Sequence, residues 1–470
     1  MRIPDRATRD SRRCRSMVWI LLLAVASCLA CGPRQLSHRR PKLVVLISLD
    51  TFRADLLAMR QPDGTPRLPN LAKLAAESLR FDDAMATMAY TLPSHMTMLT
   101  GLHHESHYVV TEKSRLAPTL PTLGEGMRAA GFKTVGIFTS HFLKAAFGFD
   151  RGFDVWRELP VGLTCAERVS REAIAEIDLA SAESRPLFLF VHYFESHSDF
   201  DAEGNKLPYY SPADRRRDLI VKEGDLCDEL ARCATERLLS ADREKRPEPP
   251  ERLALFHDLY TRGAVELDAW LGELFSALKD RDLWEDSLLV LTADHGEEFR
   301  EHGMFLHSQV FKESLRVPLL LHWPARRSPG VDRNLIGLES VAPSLLRAVG
   351  ATPPALMEAR DLLAPLPLGE GGVIHVSQDK LFRTRFGLRT ERYLLVWDFS
   401  DSSSQLFDRE TDPGESRNLA ASRPELVAEL RSRLFSALRH YRRIRPELSQ
   451  ASEEIFSEKE RQTLRSLGYL

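Results

Sequence analysis

Three runs of apolar residues each end in a carboxylate or an imidazole. They are Leu43-Val44-Val45-Leu46-Ile47-Ser48-Leu49 before Asp50, Pro186-Leu187-Phe188-Leu189-Phe190-Val191-His192-Tyr193-Phe194 before Glu195-Ser196-His197, and Leu288-Leu289-Val290-Leu291-Thr292 before Asp294-His295. Short apolar runs rich in β-branched and aromatic residues read as strands buried on both faces, which is the signature of a parallel sheet. Leu255, Leu259, Val265, Leu267, Leu271 and Leu274 recur at near-helical spacing between Arg252 and Lys279, giving a long amphipathic helix that feeds the third run. Open α/β sheets collect their ligands beyond the carboxyl ends of the strands. Asp50, Asp294 and His295 are therefore expected to share one site. With 470 residues, 43% of them hydrophobic, the chain can bury one large α/β core and a smaller appendage. A formal net charge of −3 gives no argument for a nucleic-acid partner.

A second constraint lies in Thr91-Leu92-Pro93-Ser94-His95-Met96-Thr97-Met98-Leu99-Thr100-Gly101. Proline suits the first turn of a helix, where its missing N–H is not needed. Thr91 then falls beside a helix N-terminus, where free N–H groups and the dipole favour an anion. A hydroxyl in that place becomes a nucleophile once a metal or a base lowers its pKa. Asp50, Asp294, His295 and the Thr91 oxygen together form a donor set suited to one divalent cation. His95 reads either as an acting group or as a helix residue bonded to nearby backbone.

In order along the chain, "LISLDTFRAD", "TLPSHMTMLTG", "HYFESH", "TADHGEEFREHG", "FKESLRVPLLL" and "LFDRETDPGESRNLA" resemble the sulfatase family of the alkaline phosphatase superfamily. The resemblance implies a large doubly wound mixed sheet flanked by helices with a small C-terminal α+β subdomain. It also implies a metal-dependent hydrolase of anionic esters, with metal on Asp50, Thr91, Asp294 and His295. His197 takes the place of a histidine that contacts the ester, and His307 that of a lysine beside the nucleophile. Thr91, His95, His197 and His307 are thus the candidate catalytic residues. Three positions depart from the family. Thr51 stands where many members carry a second metal-binding Asp, and His95 stands where they carry Arg. Thr91 stands where sulfate-cleaving members carry the Cys or Ser that matures to formylglycine; oxidising a secondary alcohol would give a ketone instead. Threonine followed by Pro and His is similar to the nucleotide pyrophosphatase/phosphodiesterase branch, in which the alkoxide attacks phosphorus directly. Phosphate mono- or diester hydrolysis is the expectation. The alternatives are a sulfuric ester hydrolase acting without formylglycine and a non-catalytic metal-binding module. The cation is Zn, Mn, Ca or Mg, with imidazole ligation favouring a transition metal.

The remaining segments follow from composition and pattern. Residues 1–16 carry six arginines and precede the apolar run Val18–Ser27, a leader too short to span a bilayer. Val25-Ala26-Ser27-Cys28 resembles a bacterial lipobox, with Cys31 as the second candidate for lipidation, so a periplasmic or outer-membrane, lipid-anchored protein is expected. The expected divisions are a leader over 1–31, a tether over 32–41, a catalytic domain over 42–370 with a polar insertion at 201–250, and a subdomain and tail over 371–470. Two of Cys165, Cys227 and Cys233 can pair in an oxidising compartment. A helix is expected over Leu68–Leu79. His192 reads as a core histidine, Glu195 as a ligand or a loop carboxylate, and Glu297, Glu298 and Glu301 as a solvated face. His141 and Lys144 read as surface residues, and His302 as a residue that orders its loop.

Overall fold

The computed structural model describes residues 40–160, 165–197, 209, 249–364, 375–380 and 384–444. The leader with Cys28 and Cys31, most of the 201–250 insertion with Cys227 and Cys233, and the C-terminal tail lie outside the described residues. Among those described, Cys165 is buried, with its thiol 3.6 Å from the Pro160 carbonyl, and no helix is long and apolar enough to cross a membrane.

Among the described residues the main sheet has eight strands: β1 (Leu43–Leu49), β2 (Leu79–Met85), β3 (Lys133–Phe138), β4 (Val155–Glu158), β5 (Leu187–Tyr193), β6 (Ser287–Ala293), β9 (Leu319–His322) and β10 (Gly330–Gly337), in the order β10-β2-β9-β6-β1-β5-β3-β4. A short hairpin of β7 (Glu298–Phe299) and β8 (Phe305–Leu306) follows β6. The apolar runs seen in the sequence are the central strands β1, β5 and β6, every residue of which is buried. They pair in parallel and in register, Leu49 opposite both Tyr193 and Ala293. β9 runs antiparallel to β6 and β2, which makes the sheet mixed. Two groups of helices flank it: α1 (Pro69–Ala76), α4 (Cys165–Ala182) and α5 (Pro250–Asp280) pack together, as do α2 (Thr91–Thr100), α3 (Leu123–Ala129) and α6 (Val341–Ala348). The helix expected over Leu68–Leu79 ends at Ala76, because Leu79 already starts β2. β2 escapes a sequence reading because Arg80, Asp82 and Asp83 break its apolar run.

A second sheet, β11 (His375–Gln378), β12 (Arg385–Arg389), β13 (Tyr393–Asp398) and β14 (Ser404–Asp408), is antiparallel throughout. Val376, Leu388, Leu395 and Leu406 on one face meet Leu430, Leu434 and Leu438 of α7 (Pro424–Arg442) in a core of their own. β11 docks on the segment leading to α2: the Gln378 N–H donates to the Thr87 carbonyl at 3.0 Å. A buried ion pair fastens the other side. The Arg389 guanidinium, with no side-chain exposure, meets Glu415 and donates through Nη2 to the Val310 carbonyl at 2.9 Å. Glu415 Oε2 in turn accepts from the Lys312 N–H at 3.1 Å. Removing one member of a buried pair strands the other charge and costs about 3–5 kcal/mol. Glu415→Ala is therefore expected to lose about that much unfolding free energy in urea titration; a loss below about 1 kcal/mol would show that the pair does not fasten the second sheet.

Candidate active site

The parallel register of β1 and β6 sets Asp50 and Asp294 side by side, one residue beyond the strand ends. Both are wholly buried, and their partners account for only half of their oxygens. Asp50 Oδ2 accepts from His192 Nε2 at 3.1 Å. Asp294 Oδ1 accepts from the N–H groups of Thr51 (3.2 Å) and His295 (2.8 Å). His295 donates from Nδ1 to the Gly296 carbonyl at 3.0 Å, which leaves the Nε2 lone pair for a ligand. Asp50 Oδ1, Asp294 Oδ2 and His295 Nε2 are buried with no hydrogen-bond partner among the described residues. One ligand atom from each of these residues lies within 4.8 Å of the other two. Burial, and for Asp294 also the neighbouring Asp50 charge, pushes both carboxyls well above the usual range, while burial pushes the His295 imidazole down. Two carboxylates and a neutral imidazole with orphaned donor atoms fit a divalent cation.

The loops that hold these groups are tightly fixed. Gly296 pairs with the Ser314 carbonyl through its N–H, and a Cβ there would lie 2.0 Å from the Glu313 carbonyl oxygen. Thr51 sits at φ 54, a left-handed conformation unusual for a β-branched residue. It is held there by the Asp294 carboxylate and by the Tyr260 hydroxyl of α5, which donates to its carbonyl at 2.7 Å. Its own hydroxyl is buried without a partner.

Thr91 is the first residue of α2 and is 1% exposed. Among the described residues no side chain caps that helix, and a helix N-terminus favours an anion. The first turn is docked on the metal-ligand candidates: the Ser94 hydroxyl donates to the Asp294 carbonyl at 2.6 Å. His95 donates from Nδ1 to the Thr91 carbonyl at 2.8 Å, accepts from the Ser48 hydroxyl at 2.9 Å, and lies 3.6 Å from Asp294 Oδ2. Both of its ring nitrogens are thus engaged within the protein, which places it behind Thr91 as a support. At the far end Gly101 closes the helix at φ 64.

Imidazoles form one wall. The rings of His295 and His307 are 4.3 Å apart, and those of His307 and His197 are 5.4 Å apart. His197 stacks on Phe194 at 4.4 Å. His307 donates from Nδ1 to Glu297 Oε2 at 2.9 Å, and Glu297 Oε1 accepts from the Tyr209 hydroxyl at 2.8 Å. Burial and the adjoining His295 hold the His307 imidazole well below its ordinary value. Glu297 and Glu298 are buried at 1% and 0% exposure, which corrects the solvated face expected for this run; only Glu301 is exposed. Glu298 accepts from Gln309 at 2.7 Å and from Ser314. His192 lies within β5 as expected, but it is bound to Asp50. Glu195 caps α4 through the Ala166 N–H and accepts from the Phe194 N–H at 3.1 Å, so it is a loop carboxylate. His302 stacks on Phe311 and meets Glu313 at 3.0 Å, ordering its loop. His141 meets Glu158 at 2.8 Å and is partly exposed. One charged residue of the site carries no signal in the sequence. Lys380, just beyond β11, acts electrostatically on Asp50, His295, Glu297 and His307. Only tertiary docking brings it there.

The sequence profile described as Sulfatase matches residues 42–351, and that of the N-sulphoglucosamine sulphohydrolase C-terminal region matches residues 300–443. The multifunctional alkaline phosphatase superfamily protein PehA of Trinickia caryophylli is 24% identical over 411 residues, covering 70% of this chain and 78% of that protein. Arylsulfatase K of Canis lupus familiaris is 28% identical over 217 residues, 42% of this chain, and the match spans only 39% of that protein. Among solved structures, the phosphonate monoester hydrolase of Silicibacter pomeroyi superposes with a TM-score of 0.66 at 19% identity, covering 85% of this chain and 95% of that one.

A cation that binds only the folded protein stabilises it. Asp294→Asn is expected to lose bound divalent metal and the metal-induced rise in Tm together. Full metal content with unchanged melting in that variant would remove Asp294 from the donor set.

Proposed function

We propose that this chain, which belongs to the sulfatase family, hydrolyses phosphate mono- or diesters through a covalent ester on Thr91. The chain is a sulfatase-family hydrolase of sulfate- or phosphate-type esters; the choice of phosphate and the threonine intermediate are our reading. The observation that carries it is the buried trio of unpartnered donor atoms on Asp50, Asp294 and His295, with the first turn of α2 docked against it.

Asp50, Asp294, His295 and the Thr91 oxygen would hold one divalent cation, with a transition metal such as Zn or Mn favoured by the imidazole. When bound, that cation supplies a lowered hydroxyl pKa and Lewis-acid stabilisation of the ester oxyanion. His95 fixes the carbonyl of Thr91 and the Asp294 loop behind the nucleophile. The uncapped amides of α2 face the developing charge. Thr91 Oγ gives its proton to an imidazole of the His197–His307 pair and forms a bond to phosphorus as the bond to the leaving oxygen breaks. The departing alkoxide, on the opposite side of phosphorus, takes a proton from solvent. Water then attacks the threonine ester and loses a proton to solvent, the imidazolium returns its proton to Thr91 Oγ, and phosphate (from a monoester) or a phosphomonoester (from a diester) leaves. Sulfate is disfavoured because threonine lacks the formylglycine hemiacetal that expels sulfate by C–O cleavage.

The catalytic domain is assigned to residues 42–370 and the subdomain to 371–470. The lipobox-like Val25-Ala26-Ser27-Cys28 supports a lipid-anchored periplasmic or outer-membrane location, with Cys28 or Cys31 as the acylated residue. Radiolabelled palmitate is expected to enter the wild type and not a Cys28→Ala, Cys31→Ala double variant; unlabelled, freely secreted wild-type protein would remove the anchor.

Thr91→Ala is expected to lower kcat by several orders of magnitude with little change in KM. The wild type is expected to turn over phosphate esters faster than aryl sulfates. Wild-type turnover in Thr91→Ala, or fastest cleavage of aryl sulfates, would overturn the reading.

A further inference from the structure

We propose that Lys380, carried by the small subdomain, grips the non-bridging oxygens of the substrate's anionic group, so that ester recognition is shared between the two sheets. The proposal rests on the reaction assigned above and adds a specificity residue to it.

The geometry places Lys380 between the two halves of the site. Its backbone N–H donates to the Ser308 carbonyl at 3.0 Å, next to His307. Two residues earlier, Gln378 pairs with Thr87 and bridges to Met88, on the segment that delivers Thr91. The ammonium lies 4.8 Å from the centre of the Tyr90 ring, and Tyr90 is the residue immediately before Thr91. Main-chain anchors on both sides thus fix the root of the side chain, and its tip lies over the ring of Tyr90, the residue before Thr91. Lys380 is half-buried, whereas Gln378 and Asp379 before it are buried.

Electrostatics agrees with this position. The Lys380 charge is felt at Asp50, His295, Glu297 and His307, all of which line the same centre. With Thr91, His95 and His307 all uncharged at neutral pH, Lys380 supplies a fixed positive side chain for an incoming anion. A lysine on a flexible stem suits an oxyanion as a point charge. A purely structural role would need only the cation–π contact with Tyr90, which arginine also satisfies.

The test uses the full-length, metal-loaded protein with two variants, Lys380→Met and Lys380→Arg. Inorganic phosphate is the binding probe in calorimetry, and aryl phosphate mono- and diesters are the substrates. Lys380→Met is expected to weaken phosphate binding and raise KM by about 10- to 100-fold, the scale of one charge-assisted hydrogen bond. Its metal content and Tm are expected to stay near wild type, and Lys380→Arg to recover most of the binding. Unchanged phosphate affinity in Lys380→Met would overturn the proposal, as would a wild type that binds no phosphate. Equal loss in both variants with a lowered Tm would also overturn it, because that pattern marks a packing residue. Loss of phosphate binding in Lys380→Met beside a wild type that hydrolyses none of the esters would uphold Lys380 while rejecting the assigned reaction. Normal ester hydrolysis with unaltered KM in Lys380→Met would do the reverse.

Discussion

Two carboxylates, Asp50 and Asp294, are buried next to each other at the ends of neighbouring parallel strands, and most of the surrounding structure answers to that juxtaposition. Burying even one ionised carboxylate is costly unless it is paired, and two together repel. Each is half satisfied by the protein: His192 takes one oxygen of Asp50, and the Thr51 and His295 amides take one oxygen of Asp294. The other two oxygens and His295 Nε2 are left without partners. A divalent cation is the simplest group that balances such a set. The strained backbone of Thr51 and the close approach of Gly296 to Glu313 both hold the donors in this arrangement.

The central frame was legible in the sequence because its strands are buried on both faces. Leu43–Leu49, Leu187–Tyr193 and Ser287–Ala293 are mostly apolar and buried at every residue, and the polar residues at their ends had to gather at one edge of the sheet. The elements that were not legible are those whose burial is partial. β2 carries Arg80, Asp82 and Asp83, and β10 is exposed over its first residues. Glu297 and Glu298 show the converse failure. A run of acids reads as solvent-facing, yet here each glutamate meets a specific partner, His307 and Tyr209 for one, Gln309 and Ser314 for the other. His95 reads either as an acting group or as a helix residue bonded to nearby backbone, and its ring nitrogens bond to the Thr91 carbonyl and the Ser48 hydroxyl.

The small subdomain contributes more than a covering layer. β11 pairs with the strand-like segment before Thr91, and Arg389 and Glu415 clamp the chain that follows His307. The loop bearing Lys380 is thereby tied to both the nucleophile side and the imidazole side of the site. Nothing local in Gln378-Asp379-Lys380 marks that role, since it depends on contacts between residues far apart in the chain. Lys380 thus comes from the small subdomain, just beyond β11, whereas Asp50, Asp294 and His295 lie at the end of the main sheet.

The central claim is that Thr91 forms a covalent ester, and the stereochemical course at phosphorus tests it most directly. A phosphodiester chiral at phosphorus through sulfur and heavy oxygen isotopes can be hydrolysed by the metal-loaded enzyme, and the configuration of the product determined. Two successive in-line displacements, first by Thr91 and then by water, predict net retention of configuration. Net inversion would mean a single direct attack by water and would contradict a covalent role for Thr91.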